Sequence, residues 1–373
     1  GVTKMAFDKL AISITNTIKS GMQQDLVYQD MVANTWMLNT GIDRVQFRKF
    51  IMSEAYRPGL TSVAGMSLIP RIMGSAARAL IEAGANEEDL RRECCANATG
   101  TGGSCATVAA SGLFCTDLTG RGDSPYQFTQ FGADGMLVAA VGNDTAYIDR
   151  VGSEEYMIVH MIEPFETNSK VWGFNLLSSD ARLAAWRSAM NTGKKTYTTR
   201  LNLVQGTTAE YGVLVWLPIY ADGRGQWTTA FNGNTTGLTP VGSVNGVYFL
   251  QQLLTTAIKR TYAPDQLEDV SIFLYDNRAA FNGEMEYLAA YGVEDAFARF
   301  SVMPSSEATK TAHHFQSVDL VLDTTDLKWT VIVAMSSKYN GKRRTWMPEI
   351  TTFIGVFVCM LGFMDRVLGH PSL

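Results

Sequence analysis

Basic charge is scarce in this sequence. Its 373 residues carry 31 Lys and Arg against 36 Asp and Glu, for a formal net charge of −5 and a pI near 5.5. That balance excludes the basic face that nucleic-acid binding requires, so no nucleic-acid partner is expected. Histidine is also scarce. The four present (His160, His313, His314 and His370) stand at no metal-ligand spacing, and neither metal nor cofactor is expected. No Gly-x-Ser-x-Gly elbow occurs. The run Thr99-Gly-Thr-Gly-Gly-Ser104 is not followed by the Gly-Lys-Ser/Thr of a phosphate loop, which leaves it a plain loop. No catalytic constellation emerges, so the chain reads as a non-enzyme. Disorder is excluded too, because hydrophobic residues make up 46% and charged residues only 18%. The chain opens on Gly1 with no Met and no signal peptide, so either an N-terminal segment has been removed or, the reading preferred, the chain is a piece of a longer protein.

Cysteine is sparse but clustered. Cys94, Cys95, Cys105 and Cys115 share one Gly-, Ala- and Thr-rich stretch, and Cys359 lies apart. An even local cluster suits disulfides in an oxidising compartment. Adjacent Cys94 and Cys95 are poorly placed to bridge each other, which leaves 94–105 with 95–115 or 94–115 with 95–105. Zinc is the rival reading, but CxxC knuckles and neighbouring histidines are lacking. Asn97, Asn143 and Asn234 begin Asn-x-Ser/Thr glycosylation tripeptides, and they agree with a lumenal or extracellular address. Arg121-Gly122-Asp123 reproduces an adhesion motif, though these are ordinary turn residues.

Along the chain, Leu10, Ile14, Ile18, Met22 and Leu26 recur every four residues and predict one helix over 4–38, stopped near Gly41. A second helix is predicted at 43–54 and a third near 74–84. Residues 85–153 read as an insertion with short strands near 136–141. Strands are expected at 155–163, 196–204, 211–220, 247–249, 270–275, 318–322 and 329–334. Helices are expected at 179–190, between a Ser cap and Gly193, and at 250–261. Two mixed blocks in series give an α+β fold. After Pro348, the uncharged run 350–364 reads as a membrane span, flanked by Lys342, Arg343, Arg344 and Trp346. It falls slightly short of the roughly 20 residues a bilayer needs.

The stretches IEPFETNSKVWGFNLLSSDARLAAWRSAMNTGKKTYTTRLNLVQ (162–205) and YGVLVWLPIY (211–220) resemble the CHASE domain, the extracellular sensor of cytokinin receptor kinases and of nucleotide cyclases. Upstream, FRKFIMSEAYRPGLTSVAGMSLIPRI (47–72), with its Pro-Gly turn and Arg71, resembles the element preceding that segment. Downstream, Trp329 and Trp346-x-Pro348 resemble the exit toward a second membrane helix. The resemblance implies a long N-terminal stalk helix and two tandem PAS-like units, with a C-terminal transmembrane helix. The corresponding division is a stalk helix at 1–40, a helical part at 41–84, the cysteine-bearing insertion at 85–153, a membrane-distal unit at 154–245, a membrane-proximal unit at 246–345 and a membrane segment at 346–373.

The resemblance also implies a small-molecule pocket in the distal unit, a homodimer along the stalk helix, and a kinase or cyclase output outside the chain. The acidic ligand contact of the plant receptors corresponds to Asn175, an apolar wall position to Tyr197, and a following Thr to Gly206 or Thr207. An amide at Asn175 lacks the charge of that acid, which argues against cytokinin itself. The ligand is therefore expected to be an unknown small molecule. A structural or adhesive membrane glycoprotein on the same fold is the alternative.

Overall fold

The structure is a computed structural model in which residues 2–42, 44–53, 62–82, 128–132, 136–140, 144–203, 211–230, 233–281, 284–292, 314–323 and 325–335 are described. The cysteine cluster, Asn97, Asn143, Arg121–Asp123, Gly206, Thr207 and the apolar run 350–364 all lie outside them. Among the described residues, no helix is long and apolar enough to cross a membrane.

Helix α1 (Val2–Leu38) is uninterrupted by proline, and its four-residue stripe is buried as the periodicity requires. Phe7, Ala11, Ile14, Ile18, Met22 and Leu26 all join one core cluster. Helix α2 (Arg44–Ile51) follows a short turn, and strand β1 (Val63–Met73) leads into α3, residues 75–82. The hairpin β2 (Thr129–Phe131) and β3 (Leu137–Ala139) precedes α4 (Thr145–Val151). Asp144 accepts a hydrogen bond from the Tyr147 N–H at the start of α4, and Gly152 closes the helix in the left-handed conformation.

Next come β4 (Glu155–Met157), β5 (Met161–Glu163), a single helical turn at Phe165–Asn168, and α5 (Asp180–Thr192). Gly193 ends α5 at φ 66°, donating its N–H to the Ala189 carbonyl. Then follow β6 (Thr196–Tyr197), β7 (Leu201–Asn202), β8 (Tyr211–Ala221), β9 (Trp227–Thr228), β10 (Thr239–Phe249) and α6 (Leu250–Thr261). The chain continues with β11 (Val270–Phe281), β12 (Glu284–Tyr291), β13 (His314–Val321) and β14 (Lys328–Met335).

These strands make two main sheets. The first runs β4-β1-β10-β8-β6, with β5 on β1 and with β7 and β9 on β8. The second runs β12-β11-β14-β13, antiparallel throughout. This mixed α+β architecture, led by one long helix, agrees with the sequence expectation. Period-two alternation divides the first sheet cleanly. Val213 and Val215 of β8 face α1, together with Tyr248 of β10. Leu214 and Trp216 face the opposite side with Val247, toward α5.

Three differences from the sequence reading have physical causes. Strand β10 is eleven residues long and central, whereas only 247–249 was expected. Its glycines look like turn signals, but they permit close approach. A Cβ on Gly242 would stand 2.7 Å from the Ile69 carbonyl oxygen and 2.9 Å from the Trp36 ring. The end of the segment read as an insertion joins the core between the first sheet and α5, where Phe128, Ala140, Tyr147 and Val151 are buried. Ser179 precedes α5 as expected but makes no side-chain cap bond there.

Candidate functional site

The face of the first sheet that looks toward α5 carries a narrow cavity. Ser67 of β1 and Asn245 of β10 are register partners on its floor. Phe174, Leu176 and Val159 cover it from the segment leading into α5, and Arg182 enters from α5 itself. The space open to the centre of a water-sized sphere is about 20 Å³, enough for roughly one water. A ligand therefore needs the covering segment to move.

Asn175 lies beside this cavity, between Phe174 and Leu176, but its side chain is wholly engaged elsewhere. Its Oδ1 accepts the N–H groups of Met157 and Leu177, each at 3.2 Å. Its Nδ2 donates to the Tyr147 hydroxyl at 2.9 Å. That hydroxyl in turn donates to the Glu155 carbonyl, so the position needs an acceptor at one end and a donor at the other, which an amide supplies. Burial pushes the Tyr147 phenol well above its usual range. Asn175 thus staples β4 to the turn before α5.

Glu155 anchors the same wall. It is fully buried between Arg71 Nε at 2.8 Å, Trp186 Nε1 at 3.1 Å and an Arg187 guanidinium nitrogen at 2.9 Å. Burial alone would raise its pKa, but the hydrogen bonds from Arg71 and Trp186 and the charges of Arg71 and Arg187 outweigh that and lower it.

Tyr197 stands on the opposite face. Its ring meets Trp329 edge-on with centroids 5.7 Å apart, in the core shared with α1 and the second sheet. Its N–H donates to Asp326 Oδ1 at 2.9 Å. Arg278 of β11 donates to the carbonyls of Tyr197 and Thr198 at 2.9 and 3.0 Å while pairing with buried Asp276. Tyr197 therefore belongs to the joint between the two sheets, and the structure does not bring it to one space with Asn175. Asn234 is exposed in a turn, where its Oδ1 accepts the Thr236 N–H.

Sequence reasoning missed Arg182, although a signal exists. Arg182, Ala185, Trp186 and Ala189 share the buried face of α5 at i, i+3, i+4 and i+7. Arg182 is only 3% exposed and makes ring contacts to Phe131 and Phe174. Burial draws its pKa down to about 10, so it stays charged at neutral pH.

Helix α1 is wired to the floor of the site from behind. Gln29 Nε2 donates to the carbonyls of Val215 and Val244 at 2.9 and 2.8 Å, joining α1 to β8 and β10. Lys195 adds a bond to Asp30 at 2.7 Å. A larger trough of about 540 Å³ lies between α1 and α6. It is a surface feature lined by exposed Lys9, Asn16 and Gln24, unlike the narrow cavity beneath α5. No group of three or more metal-ligating side chains occurs among the described residues.

An α+β chain strung on one long helix, with a cavity on the far face of its first sheet, defines the class. The CHASE domain family model matches residues 40–287, and the chain belongs to that family of sensor domains. No curated protein matches the chain. Among solved structures it is similar to the ligand-binding domain of the Pseudomonas aeruginosa PAO1 amino acid chemoreceptor PctC in complex with GABA, at 10% identity, 90% of this chain, 100% of that chain and a TM-score of 0.42. It is also similar to a methyl-accepting chemotaxis protein X, at 11% identity, 90% and 99% coverage and a TM-score of 0.38. The P. aeruginosa PAO1 chemoreceptor PctB domain with L-Arg matches at 12% identity, 71% and 92% coverage and a TM-score of 0.29. These are distant likenesses, and the family assignment rests on the CHASE match.

Proposed function

We propose that this chain is the extracytoplasmic ligand-sensing region of a membrane receptor whose kinase or cyclase output lies outside it. The observation that carries this reading is the distal cavity, whose floor strands β8 and β10 are hydrogen-bonded to α1 through Gln29. A small molecule that fits one arrangement of the cavity better than another biases the position of α1, and differential affinity is the thermodynamic requirement for a signal. The cavity lies beside Asn175 rather than upon it, and Tyr197 serves as a joint between the sheets. The ligand contacts assigned here are therefore Ser67, Asn245 and Arg182. Gly206 and Thr207 remain proposed on resemblance alone.

Homodimerisation along α1 is part of the proposal. Met5 and Ile12 near the start of α1, and Val27, Met31 and Leu38 near its end, are exposed on the side away from the core. These two apolar patches, separated by exposed Asn16, Ser20 and Gln23, offer contact points to a second helix. Attachment to the membrane through 350–364 completes it. The competing reading, a structural or adhesive membrane glycoprotein without a ligand, is favoured by the narrowness of the cavity.

A thermal-unfolding screen of the purified chain against a mixed small-molecule library separates the two. At least one compound is expected to raise the midpoint with dose, and the cavity-filling variant Ser67→Leu, folded by circular dichroism, is expected to lose that response. Silence across anionic, neutral and cationic compounds contradicts sensing.

A further inference from the structure

Among the described residues, two polar atoms at the cavity have no hydrogen-bond partner. Arg182 Nε is shielded from solvent and has no hydrogen-bond acceptor, and Asn245 Nδ2 is in the same condition across the space. The other end of the Asn245 amide is committed, since Oδ1 lies 2.7 Å from the Ser243 hydroxyl. Buried donors in folded proteins are almost always matched, and an unmatched buried guanidinium is the most costly kind. The Phe131 and Phe174 rings lie 5.5 and 5.4 Å from the guanidinium carbon. They offset part of the desolvation but accept no hydrogen bond. Among the described residues no carboxylate lines the cavity, so the Arg182 charge has no counter-charge there. The remaining walls are apolar, with Val159, Ile162, Leu214 and Val247 among them.

We infer that the sensed ligand is a small organic carboxylate, its anionic head bonded to Arg182 and Asn245 and its compact apolar body lodged against the sheet once the segment carrying Phe174 and Leu176 has moved off the cavity. This rests on the sensor reading and adds the chemical class. A planar guanidinium presents paired N–H groups that match a carboxylate and discriminate against neutral amides. Nitrogen Nε is one of the donors of that fork, and it is shielded from solvent without an acceptor among the described residues. An amide donor and a guanidinium together define an acceptor-only guest, which excludes cations and favours an acid over its amide or amine counterpart. Binding an anion there also gives Arg182 Nε and Asn245 Nδ2 an acceptor at once, tying the helix that carries Arg182 to the strand that Gln29 joins to α1.

The test uses calorimetry and thermal unfolding of the chain with benzoate, phenylacetate and isovalerate, beside the matching amides and amines at equal ionic strength. The acids are expected to bind and raise the midpoint while the amides and amines do not. Arg182→Met is expected to weaken acid binding at least tenfold. Its unliganded midpoint is expected to equal or exceed that of the wild type, because an unpaired buried charge has been removed. Arg182→Lys is expected to restore part of the binding. If amides or amines bind as well as acids, and Arg182→Met binds them unchanged, the carboxylate inference fails while the sensor reading stands. Loss of the fold in Arg182→Met, with acid binding retained by Arg182→Lys at full strength, overturns the fork geometry. Absence of binding in every charge class overturns both readings.

Discussion

The guanidinium carbon of Arg182 lies 5.4 Å from the centre of the Phe174 ring, next in sequence to Asn175. The two neighbours therefore do opposite things. Phe174 covers a cavity and faces a cation, while Asn175 turns away and is saturated by Met157, Leu177 and Tyr147. Polar character at Asn175 holds the wall of the site in place, and the polar groups left open in the site are on α5 and β10.

Asn175→Ala should be strongly destabilising. It strands two backbone N–H groups and removes the donor to the buried Tyr147 hydroxyl, which keeps its bond to the Glu155 carbonyl, at a cost of about 3 kcal/mol. Chemical denaturation of the variant is expected to show a lower midpoint at unchanged slope. A variant as stable as the wild type contradicts the stapling role.

Arg278 couples the sheets through Tyr197, Thr198, Asp326 and Asp276. Arg278→Met leaves the fully buried Asp276 without its cation, which should cost roughly 3 kcal/mol. The double variant Arg278→Met with Asp276→Asn is expected to recover part of that loss, because the unpaired charge is gone. Additive losses in this cycle argue against direct coupling.

Asp25 on α1 supplies a pH dependence. It is 1% exposed. Burial pushes its pKa up to about 7, against the opposing charge of Arg260 on α6 and a hydrogen bond from the Ser62 side chain. Tyr197 and Tyr248 lie near enough for Asp25 to raise their own values. The folded state thus holds a proton that the unfolded state releases near 4, so stability falls as pH rises from about 4 to about 7 and then levels. Asp25→Asn removes that penalty. Above pH 7 it should be more stable than the wild type by on the order of 3 kcal/mol, with the gap closing toward pH 4. Glu163 shifts in the same direction, so the difference between variant and wild type is the quantity to follow. A constant gap across that range contradicts the assignment.

Gly242→Ala tests the close packing of the central strand. The new methyl meets the Ile69 carbonyl oxygen and the Trp36 ring, and overpacking of this kind costs about 2 kcal/mol. Equal thermal midpoints for variant and wild type count against it.

The same residues explain what was legible in the sequence. Helix α1 could be read because Ile14, Ile18, Met22 and Leu26 bury one stripe regardless of their neighbours. The ends of α5 and the apolar run of β8 were legible for equally local reasons. Strand β10 was not, because Pro240, Gly242 and Gly246 carry turn chemistry, and only the facing Trp36 and Tyr248 rings explain their use in a sheet. Strand β12 was missed as well. Asn175 was singled out as a polar position by resemblance, but two of its three side-chain partners lie 18 and 28 residues away. Arg182 escaped notice because a charge on a helix reads as solvated. Its burial depends on Phe131, Phe174 and the sheet beneath.

Hydrogen–deuterium exchange of the chain, with and without a saturating ligand found in the unfolding screen, tests the central claim most directly. Slower exchange is predicted in α5 around Arg182 and in β10 around Asn245, with a further change in α1 around Gln29. Protection confined to the outer surface, or at the cavity with no response in α1, contradicts a sensor that transmits through its long helix.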